Sequence, residues 1–355
     1  MALPTIEFRN VNKTFSQRDI PAVRDLSLSI SPGTLAVVLG PSGSGKTTLL
    51  RLLAGFERPD SGEIFVNGQC IVSPQEWVSP EKRGIGMVFQ DYALFPHLTV
   101  GQNITFGLKD LPASEQEKRL HKMLRLINLP NIAHAYPHEL SGGQQQRVAM
   151  ARALAPHPKV LLMDEPFSNI DPDLRQHMRD EVKRILKSTH TTALLVTHDQ
   201  REAIELADYI AIINEGRLEQ WGTPQDIYCR PVTVFIANFV GRSMLLPGVV
   251  TEKGVQTQVG LAPIHSENAV GTKVKVMLRP EMVQLQAEPS ANALAVRVMQ
   301  ARYWGGEYHY VVQLLHHNAD EDLLLQATHP AATPLQEGQL VYMRVNLQEA
   351  RVFSS

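Results

Sequence analysis

Residues 40–47 read GPSGSGKT, and both the residue types and their spacing suit the holding of a phosphate chain. Gly40, Gly43 and Gly45 let backbone N–H groups curl around phosphate oxygens, with Pro41, Ser42 and Ser44 completing the loop. Lys46 supplies a cation for the outer phosphates and the Thr47 hydroxyl a ligand for Mg²⁺, with Thr48 beside it in the first turn of a helix. A chance match to G-x-x-x-x-G-K-[ST] in a chain of this length has a probability on the order of one in a hundred. A simple glycine-rich helix cap is therefore the weaker reading. A second group of residues fits the same chemistry. The apolar run Val160–Met163 leads into Asp164, which can reach Mg²⁺ directly or through water, and Glu165, which can orient or deprotonate an attacking water.

Leu140-Ser141-Gly142-Gly143-Gln144 is the third constellation. Ser141 with Gln144 three residues later forms a capping box opening the helix 144–155. Capping alone does not explain two adjacent glycines, which expose N–H groups to an anion. The chain thus has two phosphate-binding helix starts, about 95 residues apart from Lys46 to Ser141.

The elements that must carry these residues are legible as apolar runs. Residues 34–39, 160–163, 193–197 and 209–213 read as buried strands, and 46–54 as a helix packed by Leu49, Leu50, Leu52 and Leu53. Strands alternating with helices predict a largely parallel α/β sheet. Residues 114–128 place Leu120, Met123, Leu124 and Ile127 on one helical face, within a helical subdomain expected at about 91–157. After Gly241 the period changes to two. Val274, Val276 and Leu278 alternate with Lys275 and Met277, and Gly305-Gly306 separates two β-type runs as a hairpin turn does. The division falls at about residue 242, between a domain of 1–242 and an all-β domain of 243–355.

Composition bounds the function. The chain has 355 residues, 43% hydrophobic and 20% charged, with a formal net charge of −2, enough for about two domains. No overall basic field favours nucleic acid or an anionic membrane surface. Cys70 and Cys229 are far apart and suggest neither a disulfide framework nor a zinc ribbon, which fits a reducing compartment. No apolar run approaches the ~20 residues of a spanning helix, and Met1–Asn10 does not read as a signal peptide. A soluble cytosolic chain is expected.

With GPSGSGKT, LSGGQ, VLLMDEP and His198 of ALLVTH in that order, residues 1–240 resemble the nucleotide-binding subunit of an ATP-binding-cassette (ABC) transporter. The LSGGQ signature discriminates, because other P-loop NTPases lack it. The resemblance implies an ABC cassette of α/β P-loop NTPase fold with a helical subdomain, acting as an ATPase with ATP and Mg²⁺. Phe15 matches the aromatic that stacks on adenine. Gln90 matches the glutamine that reaches Mg²⁺ and the attacking water, and Asp171 the acid of the loop after the second motif. That loop carries Asn169-Ile170 where the family usually has Ala-Leu, a departure expected to have modest effects. Glu165 is implied as catalytic base and His198 as the switch histidine on the γ-phosphate. Ser141 to Gln144 of one chain would complete the ATP site of another, so the partners implied are a second copy, two integral-membrane permease subunits and an extracytoplasmic solute-binding protein. The chain would lie peripherally on the cytoplasmic face of the inner membrane.

The C-terminal domain resembles the OB-like (TOBE) barrel of a subgroup of importer ATPases, with 235–241 as its junction and 277–285 as its mark. Within that subgroup it is most similar to ferric iron importers, with polyamine or sugar uptake as alternatives. No nucleic-acid binding follows from the barrel, because no basic stripe accompanies its aromatics. Tyr303, Trp304, Tyr308 and Tyr310 are expected to pack on the hairpin, and His316-His317 to be solvated rather than metal-binding. A DNA-repair or translation ATPase is the rival class. The P-loop-to-signature spacing leaves no room for a long coiled coil, and a single P-loop argues against tandem cassettes. A non-catalytic cassette is disfavoured by intact Lys46, Asp164, Glu165 and His198.

Overall fold

Five apolar residues in a row, Leu35–Leu39, form a strand (β3) buried along its whole length. Such continuous apolar runs mark a parallel sheet covered on both faces. Three other runs behave similarly, β7 (Val160–Asp164), β8 (Thr192–Thr197) and β9 (Tyr209–Asn214), while β6 (Ile85–Val88), which the apolar-run reading does not single out, is half-buried except at Val88. With β10 (Arg217–Gly222) they make a six-stranded sheet of order β10-β9-β3-β8-β7-β6. All its pairs are parallel except the β9–β10 hairpin. This computed structural model describes residues 3–16, 20–264, 268–315 and 323–354.

Helix α1 (Lys46–Ala54) covers the sheet with Leu49, Leu50, Leu52 and Leu53, none of which is exposed. The same core takes in an antiparallel sheet of order β2-β1-β4-β5, formed by β1 (Ile6–Lys13), β2 (Val23–Ile30), β4 (Ser61–Val66) and β5 (Gln69–Val72). Sequence periodicity did not single out these strands. Register shifts after Phe8 and after Arg9, beside the left-handed Asn10, break the alternation of β1, whereas β2 keeps it, with Leu26, Leu28 and Ile30 buried and Ser27 and Ser29 exposed, and was passed over all the same.

Between β6 and β7 stand α2 (Val100–Thr105), α3 (Ala113–Leu126) and α4 (Gly142–Leu154). Met123, Leu124 and Ile127 are buried on the expected face. After β7, α5 (Pro172–Thr189) returns to β8, and α6 (Gln200–Leu206) to β9.

The chain divides into two units, Met1–Ile227 and Tyr228–Ser355. The change in sequence texture lies near 242, yet the second unit begins at Tyr228, and buried Arg279 supplies a reason. Its guanidinium donates to the carbonyls of Tyr228 (2.9 Å), Ala237 (2.9 Å) and Arg242 (3.0 Å), holding 228–242 against the β strands. This segment includes the short helix Val234–Phe239.

The rest of the second unit is all β, in two five-stranded antiparallel sheets that share one core. Val274, Val276 and Leu278 face that core as expected. Met277 is also buried, because Ala237 and Phe353 cover the other face of its strand. Gly305-Gly306 joins two paired strands, with Trp304 opposite Glu307. The aromatics of this hairpin divide: Tyr310 is buried and accepts from the Leu335 N–H (2.8 Å), whereas Tyr303 and Trp304 are exposed. His316-His317 lies outside the described residues. Among the described residues no helix is long and apolar enough to cross a membrane.

Candidate active site

The C-terminal ends of β3, β8, β7 and β6 adjoin in that order, and each delivers one part of the expected site. The loop 40–45 follows β3, His198 follows β8, Asp164 ends β7 with Glu165 directly after it, and Gln90 follows β6 by two residues. With neighbouring strands ~4.8 Å apart, these four starts span about 14 Å. That edge is where ligands bind in open parallel sheets.

Gly43 and Gly45 are left-handed, with φ of 79° and 104°. A Cβ on Gly45 would stand 2.0 Å from the Ala22 carbonyl and one on Gly40 2.0 Å from that of Ile213, whereas one on Gly43 would meet nothing within 4 Å. The loop is therefore locked against the sheet at both ends and open in the middle. α1 starts without a side-chain cap and without an acid in its first turn, leaving its N-terminal N–H groups for a ligand. The buried Ser44 hydroxyl has no hydrogen-bond partner. Lys46 donates from Nζ to the carbonyls of Gly40 (2.9 Å) and Pro41 (2.7 Å). Burial lowers its pKa, and the carboxylates of Glu165 and Asp164 oppose that shift.

Asp164 is pushed the other way: burial and then the neighbouring Glu165 raise its pKa, against Arg51 and Lys46. Glu165 itself adopts φ 43°, a left-handed value costly for a side-chain-bearing residue. Its N–H donates to the Val196 carbonyl of β8 (2.9 Å), and the Ser168 hydroxyl donates to its carbonyl (2.9 Å). These bonds fix Glu165 so that its Oε2 stands 3.1 Å from Nδ1 of His198. The His198 loop is held in turn, because the Thr197 hydroxyl donates to buried Glu202 (2.6 Å) and accepts from the Asp199 N–H (3.0 Å).

Ser141 caps α4 in the expected capping box, the Gln144 amide oxygen accepting from the Ser141 N–H at 2.9 Å. Nothing from the loop 40–47 stands within 4 Å of a Cβ on Gly142 or Gly143; the neighbours there are Asn169 O (3.9 Å) and Met178 Sδ (3.3 Å). Asp171 caps α5, accepting from the Asp173 N–H (3.1 Å). Phe15 is half-buried, with Lys13 Nζ 5.2 Å from its ring centre.

Sequence reasoning passed over residues that act through carbonyls distant along the chain. Asn169 donates from Nδ2 to the Gln90 carbonyl (3.0 Å), tying the loop after Glu165 to the Gln90 loop. Arg152 and Asn103 grip the segment that follows Gln90, and neither lies in a motif that names it.

Thr47, Asp164 and Gln90 offer a hydroxyl, a carboxylate and an amide oxygen, all hard donors suited to Mg²⁺. Burial and then Glu165 raise the Asp164 pKa despite Arg51 and Lys46, and a dication at this carboxyl would oppose both causes. Among the described residues no group of three or more His, Cys, Asp or Glu side chains is placed to hold a metal. Nucleotide phosphates would thus have to supply further ligands, as is usual for Mg²⁺.

A phosphate loop, an acidic pair and a histidine on adjacent parallel strand ends define a P-loop nucleoside triphosphatase, and the capped LSGGQ helix narrows the class to ATP-binding cassettes. The ABC transporter family profile matches residues 23–168 and the TOBE domain profile residues 276–353. The chain is 42% identical over 325 residues to the spermidine/putrescine import ATP-binding protein PotA of Trichormus variabilis, covering 87% of this chain and 84% of that one. It is 45% identical over 289 residues to the Fe(3+) ions import ATP-binding protein FbpC of Pseudomonas fluorescens, covering 81% and 80%. It is 42% identical over 340 residues to the sulfate/thiosulfate import ATP-binding protein CysA of Gloeobacter violaceus, covering 95% and 92%. Among solved structures, cbiO1 of Clostridium perfringens, part of an ABC transporter complex, superposes with TM-score 0.59 at 29% identity, covering 63% of this chain and 90% of that one. A dimeric ATP-binding cassette bound to ADP and Pi superposes with TM-score 0.54 at 31% identity, covering 62% and 98%. The chain belongs to the ATP-binding proteins of ABC importers, and it is an ATPase.

Proposed function

We propose that two copies of this chain close head to tail on two ATP molecules and that hydrolysis reopens them, driving solute uptake through separate membrane subunits. The observation that carries the reading is the Glu165–His198 contact of 3.1 Å at the strand ends beside the phosphate loop. In this scheme Gly40 to Thr48 cradle the phosphates, Lys46 leaves the carbonyls of Gly40 and Pro41 for the outer phosphates, and Phe15 stacks on adenine. Thr47, Asp164 and Gln90 would hold Mg²⁺, whose charge would offset that developing on the phosphates. Glu165 takes a proton from water as its oxygen bonds to the γ-phosphorus and the bond to the bridging oxygen breaks, giving ADP and phosphate. His198 holds the γ-phosphate and the water in line. The dimer reading is supported by the signature, since no atom of the loop 40–47 lies within 4 Å of the Cβ positions of Gly142 and Gly143, and by one similar solved cassette that is a dimer. Ser141 to Gln144 of one copy would complete the other's site, with Asp171 near the junction. Loss of the γ-phosphate bridge then frees the copies to separate.

The same reading places the chain on the cytoplasmic face of the inner membrane, docked on two permease subunits fed by an extracytoplasmic binding protein. For the solute we infer ferric iron, supported by the FbpC relative at 45% identity. Polyamine is the second reading, favoured by the PotA relative matched over 87% of this chain. Uptake of radiolabelled Fe³⁺ and spermidine in cells expressing wild type or Glu165→Gln separates them. Loss of iron uptake alone is expected; loss of spermidine uptake with iron uptake intact would overturn the iron assignment.

A further inference from the structure

Tyr92 and Ala93, directly after the Gln90 loop, are consecutive residues with left-handed φ of 63° and 45°. For side-chain-bearing residues this conformation costs about 1–2 kcal/mol each, so something must hold the pair. Arg152 does so. Its Nη1 donates to the Ala93 carbonyl (2.7 Å) and its Nη2 to the Tyr92 carbonyl (3.0 Å), while its guanidinium stands 5.3 Å from the ring centre of Phe95. The forked donor fits two successive carbonyls in a way one ammonium does not. Buried Asn103 fixes the other end of the segment: its Oδ1 accepts from the Phe95 N–H (2.9 Å), and its Nδ2 donates to the carbonyls of Phe95, Leu98 and Thr99 (3.1 Å each). Tyr92 is itself buried.

Arg152 belongs to the last turn of α4, the helix that Ser141 opens. Ten residues of helix, about 15 Å, separate Gly142 from Arg152. One helix therefore carries at its start the signature proposed to meet nucleotide and at its end the contact to the strained segment beyond Gln90. Burial lowers the Arg152 pKa, a sign that the guanidinium has given up water for these carbonyls.

We propose that Arg152 is a positioning residue that makes α4 and the 90–95 segment move as one body, so that engagement of the signature is felt at Gln90 and at any partner seated on that segment. This rests on the roles of Ser141–Gln144 and Gln90 proposed above. An anchor with no part in coupling would hold the strained turn and nothing more, and the two roles are separable.

The test uses the full-length chain, purified for ATPase kinetics and expressed in cells for uptake of radiolabelled Fe³⁺ and of spermidine, as Arg152→Met, Arg152→Gln and Arg152→Met/Ala93→Gly. Arg152→Met is expected to keep KM for ATP within about twofold and to lower uptake per ATP hydrolysed by about tenfold, within the range usual for coupling between sites. Arg152→Gln, with one amide donor, should fall between. Glycine at 93 adopts its left-handed conformation without strain while Tyr92 stays strained, so the double variant should recover part of the lost thermal stability but not uptake per ATP. Unchanged uptake per ATP in Arg152→Met, or full recovery of it in the double variant, would overturn the proposal. If Arg152→Met does not fold, Arg152→Gln and the double variant decide by the same readout. Ser141→Trp is measured in parallel: an unchanged ATP-driven dimer there would remove the underlying signature reading, whereas its loss with intact coupling in the Arg152 variants would remove this inference alone.

Discussion

Alanine substitution at two glycines of the same loop should give opposite profiles, because the two missing side chains face different things. Gly43 has φ 79° and open space around its Cβ position, so Gly43→Ala strains only the backbone, by about 1–2 kcal/mol. For a unit of the size of Met1–Ile227 that is a fall in Tm of roughly 2–8 °C, at about 2–4 °C per kcal/mol. The open space is where we place the phosphates, so the methyl should also weaken ATP binding by at least about tenfold, or ~1.4 kcal/mol. At Gly40 the Cβ would stand 2.0 Å from the Ile213 carbonyl and 2.7 Å from the Ser44 hydroxyl. Backbone of β9 must then shift, at about 3 kcal/mol or more, the upper end for overpacking. Gly40→Ala should therefore melt lower than Gly43→Ala, by thermal denaturation without nucleotide, while calorimetric titration of soluble Gly43→Ala shows the affinity loss. ATP binding by Gly43→Ala equal to wild type would refute the cradle reasoning, and a wild-type Tm for Gly40→Ala would refute the packing reasoning.

Lys46→Ala should weaken ATP binding by roughly 10- to 150-fold, the worth of one charged hydrogen bond at ~1.5–3 kcal/mol, and normal affinity by calorimetry would contradict it. Ser141→Trp should leave ATP binding to the single chain intact and block ATP-driven dimer formation; an unchanged dimer in light scattering would count against completion of the site by a second copy. Asp164 yields a pH dependence. Its folded pKa is raised above the ordinary 3.8, so the folded state holds the proton more tightly than the unfolded one. Its contribution to stability is greatest below 3.8 and declines as pH rises through the raised value, whereas Mg²⁺ needs the carboxylate. Titrations at stepped pH should show Mg²⁺-dependent ATP affinity rising across that window in wild type and flat in Asp164→Asn.

Legibility followed distance along the chain. The loop 40–47, the run ending at Asp164-Glu165 and the capped helix at Ser141 were readable because each packs its chemistry into consecutive residues. Four of the five parallel strands were readable because their apolar runs are nearly unbroken and buried; β6 was not, since its four residues include Gly86 and only Val88 is fully buried. In the antiparallel sheet β1 was obscured because bulges break its period of two, whereas β2, with Leu26, Leu28 and Ile30 alternating with serines, was passed over despite a regular period. The contact of Asn169 with Gln90 spans 79 positions and joins a side chain to a carbonyl, a group that every residue carries. Arg152 and Arg279 escaped for the same reason: no residue type on the accepting side marks the contact. The expectation that Asn169-Ile170 has modest effects did not foresee that Asn169 links two loops of the site.

The central claim is that Glu165, aligned by His198 at the end of β7, is the base for ATP hydrolysis. Glu165→Gln preserves size and the phosphate contacts while removing the proton acceptor. Steady-state phosphate release measured together with light scattering in Mg²⁺ and ATP tests it most directly. The account predicts that turnover is almost abolished while an ATP-bound dimer accumulates; undiminished phosphate release from Glu165→Gln would contradict it.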